Sequence, residues 1–389
     1  MAEDTARADA YHRSVLDPSF RRLELPGGVE EAGFAYGRAC GHLFEERRLG
    51  MYLDSLAALK RTDRGWMAVH AAAWAERLPA HFRAQMAAMA EGAGTSIGAL
   101  QQFLHADIAP PAGTPAAGPE SLVSADGPMC SGLVVHHGGV PWVARNCDWF
   151  EATLQRGTAA VFHRVPHRIP CVAVGLMGDI DADTGMNAEG LWLHMHTLRA
   201  AGDLRAGVSC ISWLFWMREA LETCASLDDV ERFIAGTDRD RGVLLFAVDG
   251  RRREAAVYEC SRSGYRRIDP WQVGPHRAIL ATNHPHEKHP SAEEALARAC
   301  RASAGGNGTV SRYCRMHALL AEGPVGHLPD DLAEVLSDDG VELRPGRGSS
   351  HLRTIYSAVA EPGGRGLWFA SGACPAASAG TWRRVDLTW

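Results

Sequence analysis

The chain changes character abruptly at Cys130, and that boundary constrains the fold more than any other feature. Before it, residues 30–106 carry apolar side chains at helical spacing; after it come short apolar runs separated by Gly, Pro and polar turns. Between the two lies DIAPPAGTPAAGPESLVSADGPM (107–129), proline-rich and poor in large apolar residues, which reads as an exposed, irregular connection. SGLVVHH, VPWVARN, AAVFHRV, IPCVAVGLMG and LWLHMHTL predict strands of antiparallel hairpins. SCISWLFWMREALETC and SLDDVERFIAG return to helical spacing, with Ser226 and Asp229 as an N-cap pair. VLLFAVDGRRREAAVYEC predicts a hairpin turning at Asp249-Gly250, and HLRTIYSAVAEPGGRGLWFASG closes the chain with strands. Strands, then helices, then strands again describe an α+β layered protein rather than a doubly wound one.

Glycines punctuate the helical first third. Gly33, Gly37 and Gly41 recur every fourth residue, a smooth stripe for close helix packing. WAERLPAHFRAQMAAMAEGAG reads as a further helix ending at Gly92 and Gly94. Gly92, Gly94 and Gly98 mimic a dinucleotide loop, but they follow a helix and not a strand, so the match is spurious.

Composition removes several function classes. A net charge of −6 provides no basic field for nucleic acid or an anionic membrane. No stretch reaches the roughly 18 apolar residues of a membrane-spanning helix, and the first thirty residues lack the apolar core of a signal peptide. The ten cysteines include no CxxC pair, which predicts free thiols in a reducing cytoplasm. His284, His286 and His289, with His194 and His196, invite a metal reading. Prolines break the first cluster, however, and no set of three or four converging ligands emerges, so neither a metal nor a cofactor is expected.

Chemistry concentrates in MCSGLVVHHGGVPWVARNCDWF. A tight Gly138-Gly139 turn would fold the second strand back and bring Arg145 and Asp148 beside Cys130. A cysteine at the start of a new chain carries its own base, since an α-amine titrates at about 7.7–8.0. Arg145 would favour the thiolate, and Asp148 would orient the amine. Asn187 and Asn283 could donate N–H groups to a developing oxyanion, while Arg312 could hold the surroundings of Cys130 or contact substrate. The other cysteines, Cys147 included, are expected to be structural. Trp149, Trp192, Trp213 and Trp216 could line an acyl pocket, though core packing is the plainer reading.

These motifs together resemble the N-terminal-nucleophile hydrolases, most closely the acyl-coenzyme A:isopenicillin N acyltransferase family, with choloylglycine hydrolases as more distant relatives. Cys130-Ser131 is similar to the nucleophile, and Arg145-Asn146-Cys147-Asp148-Trp149 to R-N-x-D-W. Gly185 to Leu191 resembles G-M-N-E-x-G-L with Ala where Glu is usual; Thr282-Asn283-His284 resembles T-N-H, and Ser311-Arg312-Tyr313 resembles S-R-Y/F. The resemblance implies a four-layer αββα sandwich. Residues 1–129 would form a helical pro-segment, retained as a small subunit after self-cleavage before Cys130, and 130–389 the catalytic core. It implies an acyl-thioester on Cys130 whose acyl group passes to an amine. Acyl-coenzyme A or a carrier-protein thioester could be the donor. A hydrolase of N-acyl amino acids, peptides or acylated metabolites is the alternative, and an inactive binding scaffold a minor one.

Overall fold

The apolar runs after Cys130 pair into hairpins, and the hairpins assemble into two sheets. The computed structural model describes residues 20–106, 108–109, 129–198, 205, 208–286, 308–323, 325–344 and 352–389. The connection that leads into Cys130 therefore lies outside the described residues, apart from Ile108, Ala109 and Met129.

The strands in chain order are β1 (Phe20–Glu24), β2 (Met129–His137), β3 (Val140–Phe150), β4 (Thr158–His163), β5 (Cys171–Leu176), β6 (Thr184–Asn187) and β7 (Leu191–Leu198). After a short β8 (Cys210–Ile211) and β9 (Asp238–Arg239) come β10 (Gly242–Asp249), β11 (Glu254–Cys260), β12 (Tyr265–Ile268), β13 (Trp271–Val273) and β14 (His276–Ala281). The last three are β15 (Leu352–Glu361), β16 (Gly366–Ser371) and β17 (Thr381–Arg384). One sheet runs β1-β4-β5-β6-β7-β10-β11-β12 and the other β13-β14-β2-β3-β15-β16-β17. Every residue of β7 and β10 is buried. Covered on both faces, β10 reads as a nearly continuous apolar run, while β7 alternates, with His194 and His196 on one face.

The described helices are α1 (Val29–Cys40), α2 (Glu46–Leu59), α3 (Arg64–Ala75), α4 (Ala80–Ala93), α5 (Ile97–Ala106), α6 (Trp213–Thr223), α7 (Leu227–Gly236), α8 (Thr309–Glu322), α9 (Asp330–Ser337) and α10 (Ala376–Ala379). α6 and α7 pack on the first sheet, α8 to α10 on the second, and the sheets face each other. This is the four-layer αββα arrangement that the resemblance implies. The glycine stripe does what its spacing predicts. A Cβ at Gly33 would run into the carbonyl of Gln85, at Gly37 into that of Met89, and at Gly92 into that of Phe34, so α1 and α4 meet backbone to backbone.

The structure departs from the sequence reading in four places. The segment before Cys130 is not purely helical, because β1 joins the first sheet parallel to β4. The expected helix over 74–94 is broken: α3 ends at Ala75 and α4 starts after Pro79, whose ring and missing N–H cannot continue a helix. Asp249↔Glu254 pairing leaves a four-residue turn rather than two, since the Asp249 carboxylate accepts from the backbone of Arg251 and Arg252. Cys314 is disulfide-bonded, against the expectation of free thiols, while eight other described cysteines are free.

Candidate active site

The β2–β3 hairpin builds the site. Gly138 and Gly139 both take positive φ (60° and 78°), the conformation a two-residue hairpin turn requires. That turn fixes the register His137↔Val140, and counting back places Cys130 opposite Cys147 and Gly132 opposite Arg145. Strand alternation then sends these four residues toward the first sheet, and Ser131, Asn146 and Asp148 toward the helices behind the second.

On the inner face the Arg145 guanidinium is fully buried, with Nη2 3.3 Å from the Cys130 sulfur. Its Nη1 donates to the carbonyl of Asp183 (2.6 Å) and to Thr184 Oγ1 (2.5 Å), which aims the other nitrogen at the sulfur. Asp183 carboxylate oxygens lie 2.5 Å from the Tyr356 hydroxyl and 3.7 Å from both Arg145 and the Cys147 sulfur. Burial pushes the Cys130 thiol up, but a hydrogen bond from Cys147 and the Arg145 charge more than offset it, leaving the thiol below its ordinary value. Burial, the same hydrogen bond and Asp183 drive the Cys147 thiol in the opposite direction. A cleft of about 30 Å³ opens beside Cys147, walled by Leu104, Trp149, Leu214 and Ile355 and floored by Asp181 and Asp183.

On the other face Arg312 is the hub. Its Nη1 donates to the Cys130 carbonyl (2.6 Å), Ser131 Oγ (2.7 Å) and Asp148 Oδ2 (3.2 Å), and its Nη2 to Asn283 Oδ1 (3.1 Å). Asn283 Oδ1 also accepts from the Cys130 N–H at 2.7 Å, while its Nδ2 donates to the carbonyl and hydroxyl of Thr197 in the first sheet. Thr309, at the start of α8, ties this segment to the helix that carries Arg312: its Oγ1 accepts from the Asn283 N–H and its carbonyl from Thr282 Oγ1. Burial pushes the Asp148 carboxyl up to about 6, although Arg312 and Thr354 favour its charged form.

Five of the six expected site residues thus converge, with altered duties. Asp148 faces Arg312 and Thr354 rather than the Cys130 nitrogen, which Asn283 holds instead. The amide hydrogens of Asn283 go to Thr197, so in this arrangement it does not present them as oxyanion donors. Asn187 is the correction. Its Nδ2 donates to the carbonyls of Leu221 and Cys224 and its Oδ1 caps the N–H groups of Glu189 and Leu191, so every polar atom is consumed in shaping the β6–β7 turn. Cys147 is not a remote structural thiol but the cross-strand neighbour of Cys130. Trp149 lines the cleft, whereas Trp192, Trp213 and Trp216 are core residues. Asp183, Tyr356 and Thr197 were missed. The D-x-D-x-D alternation of Asp179, Asp181 and Asp183 just before the G-M-N motif was the available signal.

His194 Nδ1 accepts from Trp192 Nε1 and His196 Nδ1 meets the Thr282 carbonyl, while the Nε2 atoms of both are buried without a partner. His284 Nδ1 meets Thr282 and Thr309 hydroxyls and His286 Nε2 the Leu280 carbonyl, and His289 lies outside the described residues. His81, Glu219 and Glu222 come close enough to share a cation, but Arg168 and Arg218 already pair with the two carboxylates.

Residues 135–374 match the family described as acyl-coenzyme A:6-aminopenicillanic acid acyl-transferase. The chain belongs to this family. It is therefore an enzyme of acyl transfer and amide-bond chemistry. No curated protein matches it in sequence. Among solved structures it is similar to the conjugated bile acid hydrolase of Clostridium perfringens (TM-score 0.47, 11% identity, 67% of this chain and 97% of that one covered). It is also similar to penicillin V acylase of Agrobacterium tumefaciens (0.43, 14%, 62% and 82%) and to an N-acylethanolamine-hydrolyzing acid amidase from Caenorhabditis elegans (0.42, 15%, 60% and 93%). Among the described residues, no helix is long and apolar enough to cross a membrane.

Proposed function

We propose that Cys130 is the nucleophile of a self-processing acyltransferase, and the observation that carries this is the 3.3 Å approach of the buried Arg145 guanidinium to its sulfur. In the intact chain the Cys130 nitrogen is an amide. The thiolate attacks the Met129 carbonyl, the carbon–nitrogen bond breaks with a proton passing to nitrogen, and a thioester replaces the peptide bond. Water then hydrolyses that ester and leaves a free α-amine on Cys130.

The freed amine takes over as base. Asn283 Oδ1, already 2.7 Å from this nitrogen, accepts one of its hydrogens and orients its lone pair toward the thiol proton. Thiolate attack on an acyl donor expels the leaving group and gives an acyl-thioester, which a small-molecule amine cleaves to form a new amide. Arg145, Asp148, Asn283 and Arg312 serve as site residues: Arg145 on the sulfur, Asn283 and Arg312 on the backbone that presents it, and Asp148 on Arg312. β1, paired parallel with β4 beyond the cleavage point, supports retention of the N-terminal piece.

Intact-mass measurement on the purified protein tests the processing step. Two polypeptides that meet at Met129–Cys130 are expected, with a single uncut polypeptide for Cys130→Ala. A wild-type chain that stays whole and transfers acyl groups contradicts it.

A further inference from the structure

We propose that Cys130 and Cys147 are an oxidative modification site, closing to a reversible disulfide that silences the enzyme when a peroxide is present. The two residues are directly opposed in the antiparallel β2–β3 pair. Opposed residues project to the same face with Cα atoms about 4.5–5.5 Å apart, inside the roughly 4.4–6.8 Å that a disulfide spans. The two-glycine turn holds this register, so closing the bond demands side-chain rotation and no strand slippage.

Both sulfurs sit in one electrostatic environment. Arg145 lies 3.3 Å from the first, and Asp183, 3.7 Å from the second, lies 3.7 Å from that same guanidinium. Cys130 therefore carries the thiolate character, and Cys147 keeps its proton for the resolving step. The cleft beside Cys147, about 30 Å³, admits an oxidant the size of one water or hydrogen peroxide molecule.

The chemistry balances with peroxide as the oxidant. The Cys130 thiolate attacks one peroxide oxygen, the O–O bond breaks, and with one proton taken up the products are a sulfenic acid and water or an alcohol. Cys147 sulfur then attacks the sulfenic sulfur, the S–O bond breaks, and the Cys147 proton leaves with the hydroxyl as a second water. Two electrons pass from the thiol pair to the peroxide. Without Cys147 the sulfenic acid has no neighbouring thiol among the described residues and proceeds to sulfinic acid, which thiols do not reverse.

The proposal rests on Cys130 being the nucleophile only for its effect on activity; the bond itself is read independently. The full chain is treated with hydrogen peroxide, alkylated and digested with trypsin under non-reducing conditions. Cleavage after Arg145 separates the two cysteines, so the disulfide joins the peptide ending at Arg145 to Asn146–Arg156, and dithiothreitol should release both together with the lost activity. In Cys147→Ser, peroxide should yield sulfinic acid on Cys130 and inactivation that dithiothreitol does not reverse, measured against that variant's own untreated rate. Wild-type protein that goes to sulfinic acid without the linked peptides overturns the proposal. Linked peptides with undiminished activity would overturn the silencing and, with it, the nucleophile assignment.

Discussion

Two fully buried arginines flank Cys130 from opposite faces of one sheet, and they differ in what they hold. Arg145 reaches a sulfur and receives its orientation from Asp183 and Thr184, at the start of β6 in the other sheet. Arg312 reaches the Cys130 carbonyl and the polar side chains around it: the Ser131 hydroxyl, the Asp148 carboxylate and the Asn283 amide oxygen. The first can alter reactivity while the backbone stays in place. The second positions that backbone and touches no reacting sulfur. Alternation along a single strand separates the two duties, which explains why one short hairpin can supply both.

Removing Arg312 should have the largest effect and should be felt in folding. Arg312→Ala leaves Asp148 buried and unpaired, a loss of about 3–5 kcal/mol, read as a drop in Tm together with failure to mature. If Arg312→Ala melts like wild type and only slows turnover, Arg312 belongs with Arg145 and the division between faces fails. Arg145→Gln should do the reverse. It should lower kcat/KM by about 10²–10³-fold with a far smaller change in Tm. It should also move iodoacetamide alkylation of Cys130 to higher pH, because the charge that stabilises the thiolate is gone. An unshifted alkylation profile would remove Arg145 from the chemistry.

A smaller effect tests the correction at Asn187. Asn187→Ala leaves the carbonyls of Leu221 and Cys224 and the N–H groups of Glu189 and Leu191 without their partner, costing about 1–3 kcal/mol of stability. The kcat of the folded fraction should be unchanged. A large kcat loss at full stability would restore it as an oxyanion donor. An effect of similar size, read through pH, concerns Asp148. Its carboxyl titrates at about 6 in the folded chain against an ordinary 3.8. Because the folded value is the higher one, the folded state keeps the proton longer, and this group lowers stability as pH rises through that window. The Tm of wild type minus that of Asp148→Asn should therefore fall between pH 4 and 6; a flat or rising difference would place the ionised carboxylate as the favoured form.

Much of this was legible in the sequence. Strand and helix periods gave an α+β layered protein, the family resemblance implied the four-layer stacking, and the Gly138-Gly139 turn gave the register that brings Arg145 to Cys130. What stayed hidden depends on partners distant in sequence. A G-M-N motif does not reveal that its Asn caps a turn, since Leu221 and Cys224 lie more than thirty residues away. Cys147 reads as structural along its own strand, because what sets its role is the residue across the hairpin, Cys130. β1 was missed because FRRLE is short and half exposed, and only its parallel seat beside β4 makes it a strand. The break at Pro79 is legible in the sequence, since a proline ring and missing N–H stop a helix wherever they fall inside a helical run.

The most direct measurement is peptide mapping of the matured enzyme, quenched at low pH after mixing with a panel of acyl thioesters and amides. One acyl group, labile to hydroxylamine, is expected on the peptide that begins at Cys130 and ends at Arg145, with none in Cys130→Ala and far less in Arg145→Gln. An enzyme that turns over while the acyl group appears on another residue, or one whose Cys130→Ala variant still forms the acyl-enzyme, would contradict it.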